Sequence, residues 1–331
     1  MFAAAFTAIT MTTATNGQKL RLPMNMLHPR TTAHIIPAPG KRGARPRSVS
    51  IFRYGATALA LGAVLSLVGC SANPRIDDHH PIDTSHRSLN QESRVRYLIL
   101  HFTWEGFEDS LKVLTRGAVS SHYLIDDSPP RIYRLVEEDR RAWHAGVSFW
   151  AGETMLNSAS IGIEIVNLGD RADPAYAPYP TAQIDAVVAL VRDIQRRHAI
   201  KPHRILGHND IAPQRKTDPG PRFPWRRLAD EGLVPWPDDT AVDTARPAHE
   251  AMLPPVAWFQ DRLATIGYPV PRHGELDAET RRVLMAFQMK YRPSAWDGTP
   301  DAATAALLEV VARPGGLLLR GADGVRRPYT P

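Results

Sequence analysis

The sequence predicts an α/β unit, in which a β-sheet is packed by helices, followed by a small three-helix unit. Three observations carry that expectation. Short β-rich apolar runs alternate with polar and Gly/Pro-containing turns between residues 94 and 237; one long stretch among them has apolar positions at helical spacing; and three short amphipathic patterns follow residue 254. At 331 residues and 43% apolar composition, the chain is long enough for two folded units with real cores.

The first strand is read in "RVRYLILHFTW", where Tyr97 to Leu100 form a β-rich apolar run that delivers His101 at its end. "SHYLIDD", "RIYRLV" and "IGIEIVN" are further strands, and alternation in the last puts Ile163 and Ile165 on one face and Glu164 on the other. Between Thr181 and His198 the period changes. Ile184, Val187, Val188, Val191 and Ile194 share a face, Arg192, Asp193, Arg196 and Arg197 lie opposite, and Thr181 stands where it can cap the start. "RILGH" is a last short strand that again ends in a histidine, His208. The α/β unit therefore spans 94–237, an ordinary domain size. "PDDTAVDTARPAHEAMLPP", rich in Pro, Ala, Asp and Thr, reads as a linker over 238–253. Residues 254–313 hold the helical patterns, and 314–331 form a tail with no assigned use.

The net charge of +6 comes from the first 70 residues, which hold eight Lys or Arg and no Asp or Glu, leaving 32 basic against 34 acidic side chains beyond them. A basic leader is not a basic domain face, so nucleic-acid binding is set aside. Residues 1–70 have the parts of a secretory signal: basic "KRGARPRSVSIFR", then apolar "ATALALGAVLSLVG", too short for a bilayer span of about 20 residues. It ends at Cys70, the only cysteine. "LSLVGC" resembles the lipobox of bacterial lipoproteins, which implies cleavage before Cys70 and lipidation of its sulfur. Ser71, where an aspartate would favour inner-membrane retention, points by the same resemblance to an outer-membrane anchor facing the periplasm. Residues 71–93, polar and aperiodic, read as a tether, and His79, His80 and His86 within it as solvated residues.

His101 and His208 each end a β-rich run, a position from which side chains project into a crevice at the edge of a sheet. Asp218 follows His208 in "GHNDIAPQRKTDPGPRFPW", across a loop stiffened by Pro213 and Pro219. Two neutral imidazoles and a carboxylate form the protein ligand set of an open zinc site. Glu164 is the candidate acid–base group, and Lys216 the candidate that steadies an oxyanion. Taken singly each has an ordinary reading: a hydrogen-bonded strand-end histidine, a turn aspartate, a solvated lysine.

Together, "LILHFTW", "SSHYLID", "AWHAG", "IGIEIVN" and "GHNDIAPQRKTDPGPRFPW" resemble the zinc-dependent N-acetylmuramoyl-L-alanine amidases, which share a fold with the peptidoglycan recognition proteins. The resemblance covers 94–237 and implies a mixed central sheet flanked by helices. It implies that Zn2+ is bound by His101, His208 and Asp218, with Glu164 and Lys216 catalytic and with His144 and Asn167 lining the substrate groove. "AWHAG" equally reads as a packed loop with Trp143 in the core. Relatives often carry a tyrosine where this chain has Ser121, so no tyrosine-assisted step carries over, and His122 reads as structural. Residues 254–313 resemble a three-helix peptidoglycan-binding domain, through Phe259 and Gln260, Gly267 and Tyr268, Gly274, Asp277, Phe287 and Gln288, and Asp297 and Gly298. Trp258, Phe259, Leu263, Val283, Leu284 and Phe287 are also what the core of any small helical bundle requires.

The expected activity is hydrolysis of the amide between N-acetylmuramic acid and L-alanine in peptidoglycan or its fragments, in cell-wall turnover, by a monomer. Two rivals stand beside it: a recognition protein that holds peptidoglycan without cutting it, and a zinc peptidase acting within the stem peptide, although the chain lacks an H-E-x-x-H helix.

Overall fold

Strand β1 (Tyr97–Phe102) is buried along its whole length, and the rest of the architecture follows from its having two apolar faces to cover. In the computed structural model, which describes residues 82–171 and 176–331, these residues belong to one compact unit. The leader, Cys70 and the first part of the tether lie outside the described residues.

Helix α1 (Phe107–Arg116) follows β1, then strands β2 (Tyr123–Ile125) and β3 (Ile132–Arg134), a small hairpin of β4 (Phe149–Trp150) and β5 (Glu153–Thr154), and β6 (Ser160–Ile165). Helix α2 (Thr181–His198) leads to β7 (Ile205–Gly207) and the single turn α3 (His208–Ile211). The central sheet has the order β3-β2-β6-β1-β7. All neighbours in it are parallel except the β2/β3 edge pair, so the expected mixed sheet is present. Parallel register sets Leu100 beside Ile163 and Gly207, and His101 beside Glu164. The carboxyl ends of three adjacent strands therefore present His101, Glu164 and the next residue, His208, along one edge.

One face of the sheet packs on α2. Leu98, Leu100, Ile161, Ile163, Ile165 and Ile205 share a core with Ile184, Val187, Val191 and Ile194. The helix spans the predicted residues, but Thr181 does not cap it: Pro180 holds the cap position without a side-chain hydrogen bond. Proline, with φ fixed and no N–H to satisfy, enters a helix at little cost.

The second face is covered by the C-terminal residues, and here the expected linker and tail are corrected. After α4 (Trp225–Asp230) and β8 (Trp236–Pro237), residues 239–251 form helix α5 (Asp239–Ala251), capped by the Asp238 carboxylate accepting from Thr240 N–H at 3.0 Å. Its Pro and Asp content suggested a linker, yet Val242 and Ala245 lie on one face and pack on Ala306 and Val310 of α8. Helices α6 (Val256–Ile266), α7 (Ala278–Tyr291) and α8 (Ala302–Ala312) are the three that were predicted. The tail folds as a hairpin, β9 (Leu317–Arg320) and β10 (Arg326–Tyr329), whose first strand pairs with β8, Trp236 opposite Leu318.

Tyr97, Ile99 and Leu206 of the sheet lie in one cluster with Phe259, Leu263, Phe287, Ala305, Leu308 and Leu317. The helical module and the α/β unit thus share a core. This explains why "YLILHF" is apolar at nearly every position, as strands buried on both faces are.

Phe287 is fully buried in that shared core. Phe287→Ala is expected to cost about 3–5 kcal/mol, and calorimetry of the variant should show one transition shifted down for the whole chain. A helical module melting separately, with an unchanged second transition, would contradict the shared core.

Candidate metal centre

His101 Nδ1, His208 Nδ1 and Asp218 Oδ2 form a triangle with sides of 2.9, 3.0 and 3.1 Å. All three residues are buried. Asp218 is brought in by its loop, whose path is fixed where its carbonyl accepts from Asn209 N–H at 2.8 Å, one residue beyond His208.

The hydrogen bonds around the triangle determine where the protons are. Ser160 Oγ–H donates to the Leu156 carbonyl at 2.5 Å, so its oxygen accepts from His144 Nε2–H at 3.2 Å. His144 Nδ1 is then bare and accepts from His101 Nε2–H at 3.0 Å, which leaves His101 Nδ1 with a lone pair. His208 Nε2–H donates to the Ala145 carbonyl at 3.1 Å, and the Arg215 guanidinium donates to the same carbonyl. His208 Nδ1 is therefore bare as well.

Three acceptor atoms thus face each other with no proton between them. Such a cluster repels itself unless a cation sits among the atoms. Tetrahedral zinc at about 2.0–2.1 Å from nitrogen would set its ligand atoms about 3.3 Å apart, close to what is found. Burial foremost pushes the His101 imidazole down to about 4. Asp218 is pushed down too: burial opposes ionisation, but positive charge among the facing atoms, the place a cation would take, outweighs it. Both groups are in the metal-binding protonation state at neutral pH.

Glu164 reaches the same cleft, of about 160 Å³, from β6. Burial foremost, then the Asp218 charge, raises its carboxyl well above the usual range, with Lys216 acting in the opposite sense. Its Oε2 is buried and has no hydrogen-bond partner among the described residues, an acceptor held for something outside the chain. Lys216 also lines the cleft, its ammonium 5.8 Å from the Trp104 ring centroid.

A family model described as N-acetylmuramoyl-L-alanine amidase matches residues 91–221, and one for a peptidoglycan binding domain matches residues 253–308. The N-acetylmuramoyl-L-alanine amidase AmiD of Escherichia coli K12 is 41% identical over 265 residues, 76% of this chain and 95% of the relative. The chain belongs to the N-acetylmuramoyl-L-alanine amidase family. Among solved structures, AmiD from E. coli with the substrate anhydro-N-acetylmuramic acid-L-Ala-D-gamma-Glu-L-Lys is 40% identical at a TM-score of 0.62, covering 71% of this chain and 95% of that one. AmpDH3 from Pseudomonas aeruginosa in complex with anhydromuramic pentapeptide is 42% identical at a TM-score of 0.64, covering 69% and 96%.

In this amidase-family chain, the structure brings His101, His208, Asp218, Glu164, Lys216 and His144 to one cleft but not Asn167. Asn167 holds a loop: its amide donates to the Ala177 and Pro178 carbonyls and accepts from Gly169 N–H at 2.8 Å. His144 touches the cleft, but both ring nitrogens are taken by His101 and Ser160. Gly162 makes room for that ring, since a Cβ there would lie 2.5 Å from it. His122 accepts from Gly162 N–H and lies near the Arg140 carbonyl, a structural role. Trp143 is not a core residue: it is 51% exposed at the cleft mouth under the Arg141 guanidinium. The walls given by α1, notably Val113, were missed, although Phe107, Leu111 and Leu114 at helical spacing signalled that helix. Ser160 carried no signal, because its part depends on a distant histidine.

His144→Ala is expected to weaken metal binding at the triangle about 10–100-fold, as loss of outer-shell partners does, with Ser160→Ala moving the same way by less; chelator competition measures both. Because His101 is held down at about 4, protons do not compete for its Nδ1 near neutrality, and metal should be lost only on acidification, as the ligand set takes up protons. A chain that fails to hold metal even at neutral pH would overturn the ligand assignment.

Proposed function

We propose that this chain hydrolyses the amide between the lactyl group of N-acetylmuramic acid and the L-alanine of the stem peptide, with zinc held by His101, His208 and Asp218. The observation that carries the reading is the triangle of three bare acceptor atoms beside an unpartnered buried carboxylate oxygen. When bound, zinc supplies Lewis acidity that polarises the carbonyl and acidifies water.

Glu164 takes one proton from the attacking water as its oxygen bonds to the carbonyl carbon. The C–N bond then breaks, and Glu164 returns the proton to the nitrogen, giving a lactyl carboxyl and a stem peptide with a free L-alanine amine. Lys216, which lines the same cleft, offsets the negative charge that develops on the carbonyl oxygen. The environment of Glu164 supports its role, since burial raises its carboxyl above the usual range and so makes it a better proton acceptor than an exposed carboxylate. His144 and Ser160 keep the His101 imidazole in the tautomer that exposes Nδ1.

The sequence "LSLVGC" further supports a lipid at Cys70 and an outer-membrane location facing the periplasm, with the catalytic unit on the tether that begins at Ser71. Among the described residues no helix is long and apolar enough to cross a membrane. A monomer is the proposed working state, one catalytic site being assembled from residues of a single chain.

Mass spectrometry of peptidoglycan fragments treated with the zinc-loaded chain should show free stem peptides beginning at L-alanine, and chelator should abolish them. A cut inside the peptide would make the chain a peptidase, and intact fragments despite bound zinc would make it a recognition protein. Glu164→Ala should keep its zinc and lose at least about 10²–10⁴-fold in turnover; equal loss of the metal would place Glu164 among the ligands instead. Cys70→Ser should abolish incorporation of labelled fatty acid into the protein.

A further inference from the structure

The turn α3 begins with His208, and each residue after it is held by the helical module. Ile211 lies in the shared core. Asn209 Nδ2 is 3.7 Å from the Met289 sulfur of α7. Asp210 is fully buried, and its carboxylate takes three hydrogen bonds. Gly207 N–H, at the end of β7, donates to Oδ2 at 2.8 Å; Lys290 Nζ of α7 donates to the same oxygen at 2.8 Å; and Tyr268 Oη–H, just after α6, donates to Oδ1 at 2.6 Å.

Two of the three donors therefore come from the module, and the third is the backbone group next to His208. Lys290 is itself fixed, lying 4.2 Å over the Trp225 ring and buried. Gly267, at φ +128, turns the chain after α6 so that Tyr268 points back at the turn, and its carbonyl accepts from Ala151 N–H at 2.9 Å. A charge-assisted bond inside a low-dielectric interior is strong and directional, so the position of Asp210 transmits to the peptide that carries His208.

We propose that Lys290 and Tyr268 are positioning residues of the metal centre, acting through Asp210 to set the place of His208. The helical module, matched to a peptidoglycan binding domain, is then also part of the scaffold that makes the metal site. This rests on the reading of His101, His208 and Asp218 as metal ligands.

The test measures zinc affinity by chelator competition, the visible spectrum of the Co2+-substituted protein, which reports ligand geometry, and the melting temperature of the metal-free chain. All use the chain beginning after Cys70. Lys290→Met leaves a buried carboxylate without its cation and should weaken zinc binding by about tenfold or more. Asp210→Asn with Lys290→Met, a neutral pair that keeps an acceptor for Gly207 N–H, should restore affinity to within about threefold. Tyr268→Phe removes one hydroxyl from a full-sized core ring, and should weaken zinc binding about three- to tenfold and shift the Co2+ bands while the fold persists.

If Lys290→Met does not fold, Tyr268→Phe decides alone. Wild-type zinc affinity and an unchanged Co2+ spectrum in Tyr268→Phe, whatever happens to the melting temperature, would overturn the proposal and leave the cluster a purely structural contact. Failure of the wild-type chain to bind zinc at all would instead overturn the ligand assignment on which it rests.

Discussion

Three electron-rich atoms held within 3.1 Å of one another, in a buried site, are the constraint on which the rest of the structure depends. Nothing in the covalent chain favours that arrangement, because lone pairs and a carboxylate repel at such distances. The fold must therefore supply the force that keeps them in place. It does so with parallel strands, which deliver His101 and His208 to one edge, and with hydrogen bonds that commit each remaining ring nitrogen elsewhere. A cation converts the same repulsion into binding free energy, which is why a preformed triangle is a signature of a metal site.

The second organising fact is the double burial of β1. One face meets α2 and the other meets the helical module, so the strand that carries His101 is clamped between two cores. A wall-binding module on a flexible linker would raise the local concentration of substrate and do nothing else. Here α5 takes the place of the linker, the β9–β10 hairpin pairs with β8, and Asp210 is bonded across the junction. Binding module and catalytic unit are thus one mechanical body.

Electrostatics divides the labour within the cleft. Asp218 is kept ionised by positive charge at the triangle it completes, while Glu164, without a hydrogen-bond partner for Oε2 among the described residues, is pushed toward its neutral form. Two carboxylates in one site thereby differ in their ease of ionisation, the separation of pKa values by environment that acid–base chemistry requires.

Much of this was written in the sequence. Alternating apolar runs located β1, β2, β3, β6 and β7, helical spacing located α2 and the three later helices, and the stretch from Gly207 to Trp225 held His208, Lys216 and Asp218 in the order the site uses. What the sequence by itself determined was which residues stand at strand ends, since that follows from local periodicity. It did not decide that Asn167 would hold a loop, that residues 239–251 would be helical, that Trp143 would stand at the cleft mouth, or that Ser160 would fix the tautomer of His101 through His144. Those outcomes depend on distances between groups far apart in the chain and on which surfaces compete to cover one sheet. Only the tertiary structure sets such distances, because a proton's place in a hydrogen-bond chain and the fate of an apolar face are properties of the packed whole.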